Sequence, residues 1–326
     1  MRRTHGASAL LSIAALGGLL GCSEDSGENP QGISGKPTGE FLALTYNVAG
    51  LPEGLTGSPN PLARMPLIGQ LLNDYDLVLT QEDWKTPEMN PLMPQRVYHE
   101  LLEEQATHPY ASIPLPVPLG NDPAHWPATA NRPAINALLS DGLNEFSRIE
   151  FDVQATLHVA WNDCFGDFTV GAADCLATKG FTVTTHVLSP GVELDVYNLH
   201  GEAGRGEQDL PLLRNNFEQQ LADYISDPSR AGRAIILGGD TNLHTDRSPD
   251  GEAWRTFLTR TGLSDVCDTI DCGADVDQID KFAYRSSAAV QITPISHTFE
   301  ASKFTYEGGA LSDHEPLAVR FNWKNL

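Results

Sequence analysis

Along most of the chain, apolar residues recur in short runs, and several of these runs alternate with polar residues. Runs at Phe41–Val48, Leu77–Thr80, Ile149–Leu157, Phe181–Val187, Leu194–Leu199, Ala234–Leu237, Phe282–Arg285, Val290–Ile295 and Leu317–Trp323 predict β-strands. Helical spacing is rarer. Residues 207–226 place Leu210, Leu213, Phe217, Leu221 and Tyr224 on one face, and 62–73, 97–105 and 252–260 also read as helices. No internal repeat and no second boundary interrupts the pattern. Many strands with scattered helices predict two packed sheets flanked by helices in one large domain, 40–326. Residues 86–133 are different: prolines are dense there, with His99, His108, His125 and Trp126 interspersed. That stretch reads as a long irregular excursion, either a substrate-contacting loop or a packed surface loop.

The N-terminus has its own pattern. Arg2 and Arg3 precede an apolar run from Ala9 to Leu20, too short for a comfortable membrane span. It ends in Leu19-Leu20-Gly21-Cys22, which resembles a bacterial lipobox. The resemblance implies a lipoprotein signal peptide over 1–21, lipidation of Cys22, and export to the outer membrane, cell surface or periplasm. Several acyl chains at one residue anchor stably where one would not. Residues 22–39 contain a lone Ile33 among mostly small and polar residues and read as a flexible tether.

The net charge of −22 is spread over 326 residues, and loss of the leader removes Arg2 and Arg3 but no acid. So acidic a chain repels polyanions, which weighs against a processive nuclease. Setting Cys22 aside, the five cysteines leave Cys164, Cys175, Cys267 and Cys272. An even remainder in an exported protein predicts disulfides. Pairing of sequence neighbours leads the three possible arrangements, and a zinc site is the competing reading.

Five short islands place metal-capable residues near the ends of apolar runs. Asn47 leaves the first strand. Glu82 follows Leu77-Val78-Leu79-Thr80-Gln81, where a carboxylate can hold a hard cation. His200 ends another strand and leads into Gly201 and Gly204, which let the backbone approach a ligand. In Gly238-Gly239-Asp240-Thr241-Asn242, period two directs Asp240 and Asn242 to one side of an extended segment. Ser312-Asp313-His314-Glu315-Pro316 sets an acid beside a base, and Asp280 is available to fix the tautomer of His314.

Taken in order, Asn47, Gln81-Glu82, His200, Gly239-Asp240-Thr241-Asn242, Asp280 and Ser312-Asp313-His314 resemble the signature of the endonuclease/exonuclease/phosphatase superfamily. That superfamily holds deoxyribonuclease-like nucleases, inositol-polyphosphate phosphatases and neutral sphingomyelinases. The resemblance implies an α/β fold: a four-layer α/β sandwich of two mostly antiparallel sheets flanked by helices, with the site at one end. Ser140-Asp141-Gly142-Leu143, Phe146-Ser147-Arg148 and the segment 171–181 with Lys179-Gly180 also resemble bacterial sphingomyelinases C. For Lys179 a turn-capping role stays open beside this. In one place the chain departs from that family. Between Asn242 and Asp280 its only aromatics are Trp254 and Phe257, both on a predicted helix, where secreted members are expected to carry an aromatic-tipped hairpin.

The resemblance and the residue types together imply a metal-dependent phosphodiester hydrolase with Mg²⁺, or Mn²⁺ or Co²⁺, as cofactor. Asn47, Glu82 and Asp313 are the expected metal residues. His200, Asp240, Asn242, Asp280 and His314 are the expected catalytic set. A membrane phospholipid is the leading substrate. A nuclease or a phosphatase on a soluble phosphoester is the alternative, and a non-catalytic lipoprotein binding module is the reading from another class. The chain is expected to act as a monomer, to attach to its own membrane through the Cys22 anchor, and to favour lipid over nucleic acid.

Overall fold

The computed structural model describes residues 37–52, 55, 60–86, 88, 92, 96–115, 139–166, 169–204, 206–273 and 279–326. The expected signal peptide, Cys22, most of the expected tether, His125 and Trp126 lie outside the described residues. The strands are β1 (Thr38–Asn47), β2 (Leu77–Gln81), β3 (Tyr110–Ala111), β4 (Asn144–Ser147), β5 (Glu150–Phe151), β6 (Leu157–Ala160), β7 (Gly180–Ser189) and β8 (Val192–His200). They continue as β9 (Ile235–Asp240), β10 (Ser264–Asp265), β11 (Asp280–Arg285), β12 (Val290–Phe299), β13 (Thr305–Tyr306), β14 (Gly309–Ala310) and β15 (Leu317–Asn325). The α-helices are α1 (Pro61–Leu72), α2 (Tyr98–Glu103), α3 (Asp209–Asn215), α4 (Ala222–Ser226) and α5 (Asp250–Thr261).

Two sheets carry the fold. One runs β12-β15-β1-β2-β4-β3, and the other runs β10-β11-β9-β8-β7-β5 with β6 added beside β7. All pairings are antiparallel except β1 with β2 and β8 with β9. Alternation along the strands explains the layering. In β1, Phe41 and Ala43 enter the core between the sheets, while Leu44 and Tyr46 face α1 and α2. In β9, Ile236 enters the same central core, while Ile235 and Leu237 pack under α3, α4 and α5 with Phe217, Trp254 and Phe257. Three apolar layers therefore hold four layers of structure, helix, sheet, sheet and helix, which is the expected sandwich. Deleting one such buried aromatic, as in Phe257→Ala, costs roughly 3–5 kcal/mol.

Local departures have local causes. The run Ile149–Leu157 is not one strand. Asp152 accepts from the backbone N–H of Gln154 at 3.0 Å and caps a short 3-10 turn, Val153–Ala155, that separates β5 from β6. The helix expected over 207–226 starts at Asp209 and passes through a π-helical stretch, Asn216–Leu221, between α3 and α4. The excursion at 86–133 is interrupted by α2 and β3. Both disulfides link sequence neighbours, Cys164 to Cys175 and Cys267 to Cys272. The second lies near His297, but its sulfurs are bonded to each other, so that trio is no zinc site.

Candidate active site

The two parallel pairs finish together. Asn47 is opposite Gln81 at the end of β1 and β2, and His200 is opposite Asp240 at the end of β8 and β9. β11 enters beside them, with Asp280 opposite Asp240. Just behind, a buried amide bridge joins the sheets. Gln81 Nε2 donates to Asn198 Oδ1 at 2.7 Å, and Asn198 Nδ2 donates to the carbonyls of Thr80 and Asn144 at 2.9 and 3.0 Å. Amides this deeply buried need such partners.

Two devices bring in the loop before β15. The buried Arg64 guanidinium donates to the carbonyls of Val48, Ala49 and Leu311. Ser312 Oγ donates to the Asn47 carbonyl at 2.7 Å. His314 is thereby set against Asp280, its Nδ1 donating to Oδ2 at 2.7 Å, and its Nε2 lies 3.7 Å from Asp240 Oδ2. From the other side, His200 Nε2 lies 3.4 Å from Asp240 Oδ2 and 3.9 Å from Glu82 Oε1. Asn47 Nδ2 donates to Glu82 Oε1 and to Asp240 Oδ2, both at 3.1 Å. Glu82, Asp240, His200 and His314 thus surround one point.

The charges there are set by burial and by each other. Burial works to raise the Asp240 carboxyl, but His314, His200 and Lys179 outweigh it and hold it below the usual carboxylate range. Burial pushes Glu82 up, with Lys179 and the Asn47 amide opposing. Burial, helped by the Lys179 charge, holds His200 well below the ordinary histidine value, so its ring is neutral at pH 7. His314 is the opposite case: burial is outweighed by Asp280 and Asp240, which push it up to about 10. Two histidines on either side of one carboxylate therefore differ in protonation.

The expected residues are not all placed as expected. Asn47 accepts from the Ala49 N–H at 3.1 Å through its side-chain oxygen, so it turns its nitrogen, not a ligand oxygen, toward the two carboxylates. Asp313 is exposed and accepts from its neighbour Ser312 at 3.3 Å, outside the cluster of Asp240, Asp280 and His314. Asn242 does not continue an extended segment beside Asp240. Its φ of 53° is left-handed, its N–H donates to Asp240 Oδ1 at 2.9 Å, and its side-chain amide donates to the Gly201 carbonyl at 3.2 Å. Gly201 makes room for neighbouring backbone rather than a ligand: a Cβ there would sit 2.4 Å from the Thr241 carbonyl oxygen. Lys179, outside the expected site set, is buried with Nζ 2.5 Å from Asp174 Oδ1 and bonded to the Gly201 carbonyl at 3.3 Å. Its charge bears on Glu82, His200 and Asp240. The visible signal for it was the Lys-Gly pair entering a strand.

No family model matches the chain. A search of curated proteins finds the sphingomyelinases of Mycobacterium tuberculosis and Mycobacterium bovis, 34% identical over 301 residues. That alignment takes in 88% of this chain and 53% of theirs, so the chain spans about half the length of the curated relatives it matches. Among solved structures, beta toxin from Staphylococcus aureus with bound magnesium ions aligns with TM-score 0.58 at 14% identity, over 86% of this chain and 99% of that one. The two share the four-layer sandwich fold. Sphingomyelinase C from Streptomyces griseocarneus shares it with TM-score 0.56 at 17% identity, over 86% and 99% of the two chains. So does D. rerio TDP2 complexed with a single-strand DNA product, with TM-score 0.55 at 15% identity, over 86% and 98%. In this fold the site described above sits where both central parallel pairs end.

Proposed function

We propose that this chain is a divalent-cation-dependent phosphodiesterase that cleaves a phospholipid head group of the sphingomyelin type. The observation that carries the reading is the convergence of Glu82, Asp240, His200 and the Asp280–His314 pair on one point. The homology to curated sphingomyelinases narrows the substrate. The donor set fits a hard cation. The Glu82 and Asp240 carboxylates share one amide donor and face the same space, and burial leaves the negative charge of Glu82 under-compensated. Glu82 would hold the ion.

The chemistry a bound divalent cation supplies here is positive charge, which draws a phosphate oxygen and offsets the carboxylates that keep His314 protonated. The chain's own groups do the rest. Asp280 fixes the tautomer of His314, so that Nε2 faces the reacting centre and, in the neutral ring, takes a proton from the attacking water. Asp240 orients that water. Neutral His200, on the far side, donates a hydrogen bond to the leaving oxygen and stabilises it, and the departing alkoxide takes its proton from solvent water. Lys179 adds fixed positive charge behind Glu82 and His200.

A nuclease reading draws on the DNA-bound fold neighbour, and the net charge of −22 opposes it. The test is a panel assay of the purified protein on sphingomyelin, phosphatidylcholine, DNA, RNA and inositol phosphates, with Mg²⁺ and with a chelator. Release of phosphocholine from sphingomyelin that stops on chelation is the expected result. Cleavage of DNA alone, weakening steeply with salt, supports the nuclease instead. The lipobox-like Leu19-Leu20-Gly21-Cys22 supports a lipid anchor at Cys22, and loss of membrane association and of palmitate labelling in Cys22→Ala tests it.

A further inference from the structure

Glu82 occupies an unusual place for a ligand. Its φ is 54°, in the left-handed region that non-glycine residues avoid. Such a conformation persists only where the surroundings over-determine it. On one side its carbonyl accepts from the Gly50 N–H at 2.9 Å, and a Cβ on Gly50 would meet that oxygen at 2.3 Å. On the other side stands Asp83, a carboxylate with no exposed side-chain surface, one residue from Glu82.

Asp83 is tied down through its backbone and through one of its two carboxylate oxygens, Oδ2. Its N–H donates to the Gly142 carbonyl at 3.0 Å, and its carbonyl accepts from Asn144 Nδ2 at 2.8 Å. Its Oδ2 accepts from Thr80 Oγ1 and Asn144 Nδ2, both at 3.1 Å, and lies 2.9 Å from His99 Nδ1. His99 projects from α2 and is itself only 1% exposed. None of these groups touches the reacting centre. Burying a carboxylate and an imidazole this completely demands pairing.

We propose that the Asp83–His99 pair is a clamp that holds the backbone at Glu82, so that the Glu82 carboxylate points at the cation position. His99 and Asp83 are positioning residues for that ligand. The inference rests on the reading of Glu82 as the cation's carboxylate. It predicts that the clamp sets cation affinity, not the chemical step.

The experiment measures Mn²⁺ binding by calorimetry and, separately, turnover against Mg²⁺ concentration, for wild type, His99→Ala, His99→Gln, Glu82→Gln and His186→Ala. His186 pairs with Glu145 at 2.5 Å and is as buried as His99, but it is not linked to Glu82. The expected result is a tenfold or greater loss of Mn²⁺ affinity in His99→Ala and partial recovery in His99→Gln. Turnover of both at saturating Mg²⁺ stays within about threefold of wild type, and His186→Ala loses thermal stability but keeps its Mn²⁺ affinity. If His99→Ala and His99→Gln bind Mn²⁺ as wild type does, or if His186→Ala loses affinity equally, the clamp is overturned. Should His99→Ala not fold, His99→Gln carries the same comparison. Unchanged binding in Glu82→Gln sinks the parent reading of Glu82 instead.

Discussion

β1 and β2 in one sheet and β8 and β9 in the other are parallel pairs inside otherwise antiparallel sheets, and both end at the site. They bring different things there. The β8–β9 pair delivers His200 and Asp240 as the last residues of regular strands, each about 1% exposed. The β1–β2 pair delivers Asn47 in register, but Glu82 comes one residue beyond its strand, in a left-handed turn, with its side chain 23% exposed. Groups that must keep a fixed charge relation to one another are locked into the ladder. The group proposed to meet a cation stands outside the ladder and is supported separately by Gly50, Asp83 and the Asn47 amide.

That contrast can be broken at several levels. The largest effect belongs to the strand-end groups. His200→Ala, His314→Ala or Asp240→Ala should lower turnover by about 10²–10⁴ with circular dichroism unchanged. Retention of more than a tenth of wild-type activity contradicts their placement at the reacting centre. Glu82→Gln comes next: the Mg²⁺ concentration for half-activity should rise by at least tenfold, whereas the equivalent Asp313→Asn should shift it little, because Asp313 is exposed and apart from the cluster.

The bridge between the sheets is a smaller, stability-level test. Asn198→Leu leaves buried groups around Gln81 unpaired and should cost about 1–3 kcal/mol by urea denaturation. The Gln81→Leu/Asn198→Leu double variant should cost less than the sum of the two singles, since both partners are then removed. Additive costs mean that the two residues act independently.

The pH dependence separates the two histidines. His200 is depressed in the folded state, so its burial stabilises fully above the ordinary value of 6.5 and that contribution fades as pH falls below it. His314 is raised to about 10, so its pairing stabilises fully below 6.5 and fades as pH rises from there towards 10. Thermal melts without added cation should therefore show His200→Gln losing less than wild type on acidification from pH 7 to 5. His314→Gln should lose less than wild type on going from pH 7 to 9. The reverse ordering contradicts the assigned charges.

Much of this was legible in residue order. Apolar runs ending in Asn47, Glu82, His200 and Asp240 marked both parallel pairs, because a strand that is buried on both faces reads as a continuous apolar run. The layers followed from alternation. The missing parts are tertiary in origin. β4 is polar, Asn144-Glu145-Phe146-Ser147, and is a buried strand because Thr184, His186 and Ser112 satisfy its groups from distant segments. The left-handed turns at Glu82 and Asn242 depend on backbone neighbours far away in sequence. Asp313 stays exposed while its neighbour His314 turns inward, so Asp313 acts on His314 through its charge. The clamp residue His99 lay on the predicted helix 97–105, but nothing in that pattern pointed to its partner Asp83.

The most direct measurement is a crystal soaked in Mn²⁺ with phosphocholine and measured at the manganese absorption edge. The anomalous peak should lie at coordination distance, about 2.0–2.3 Å, from a Glu82 carboxylate oxygen. A phosphate oxygen should complete its shell, and the phosphorus should sit between His200 and His314. A peak at Asp313, or phosphate density away from both imidazoles, contradicts the convergence on which the function rests.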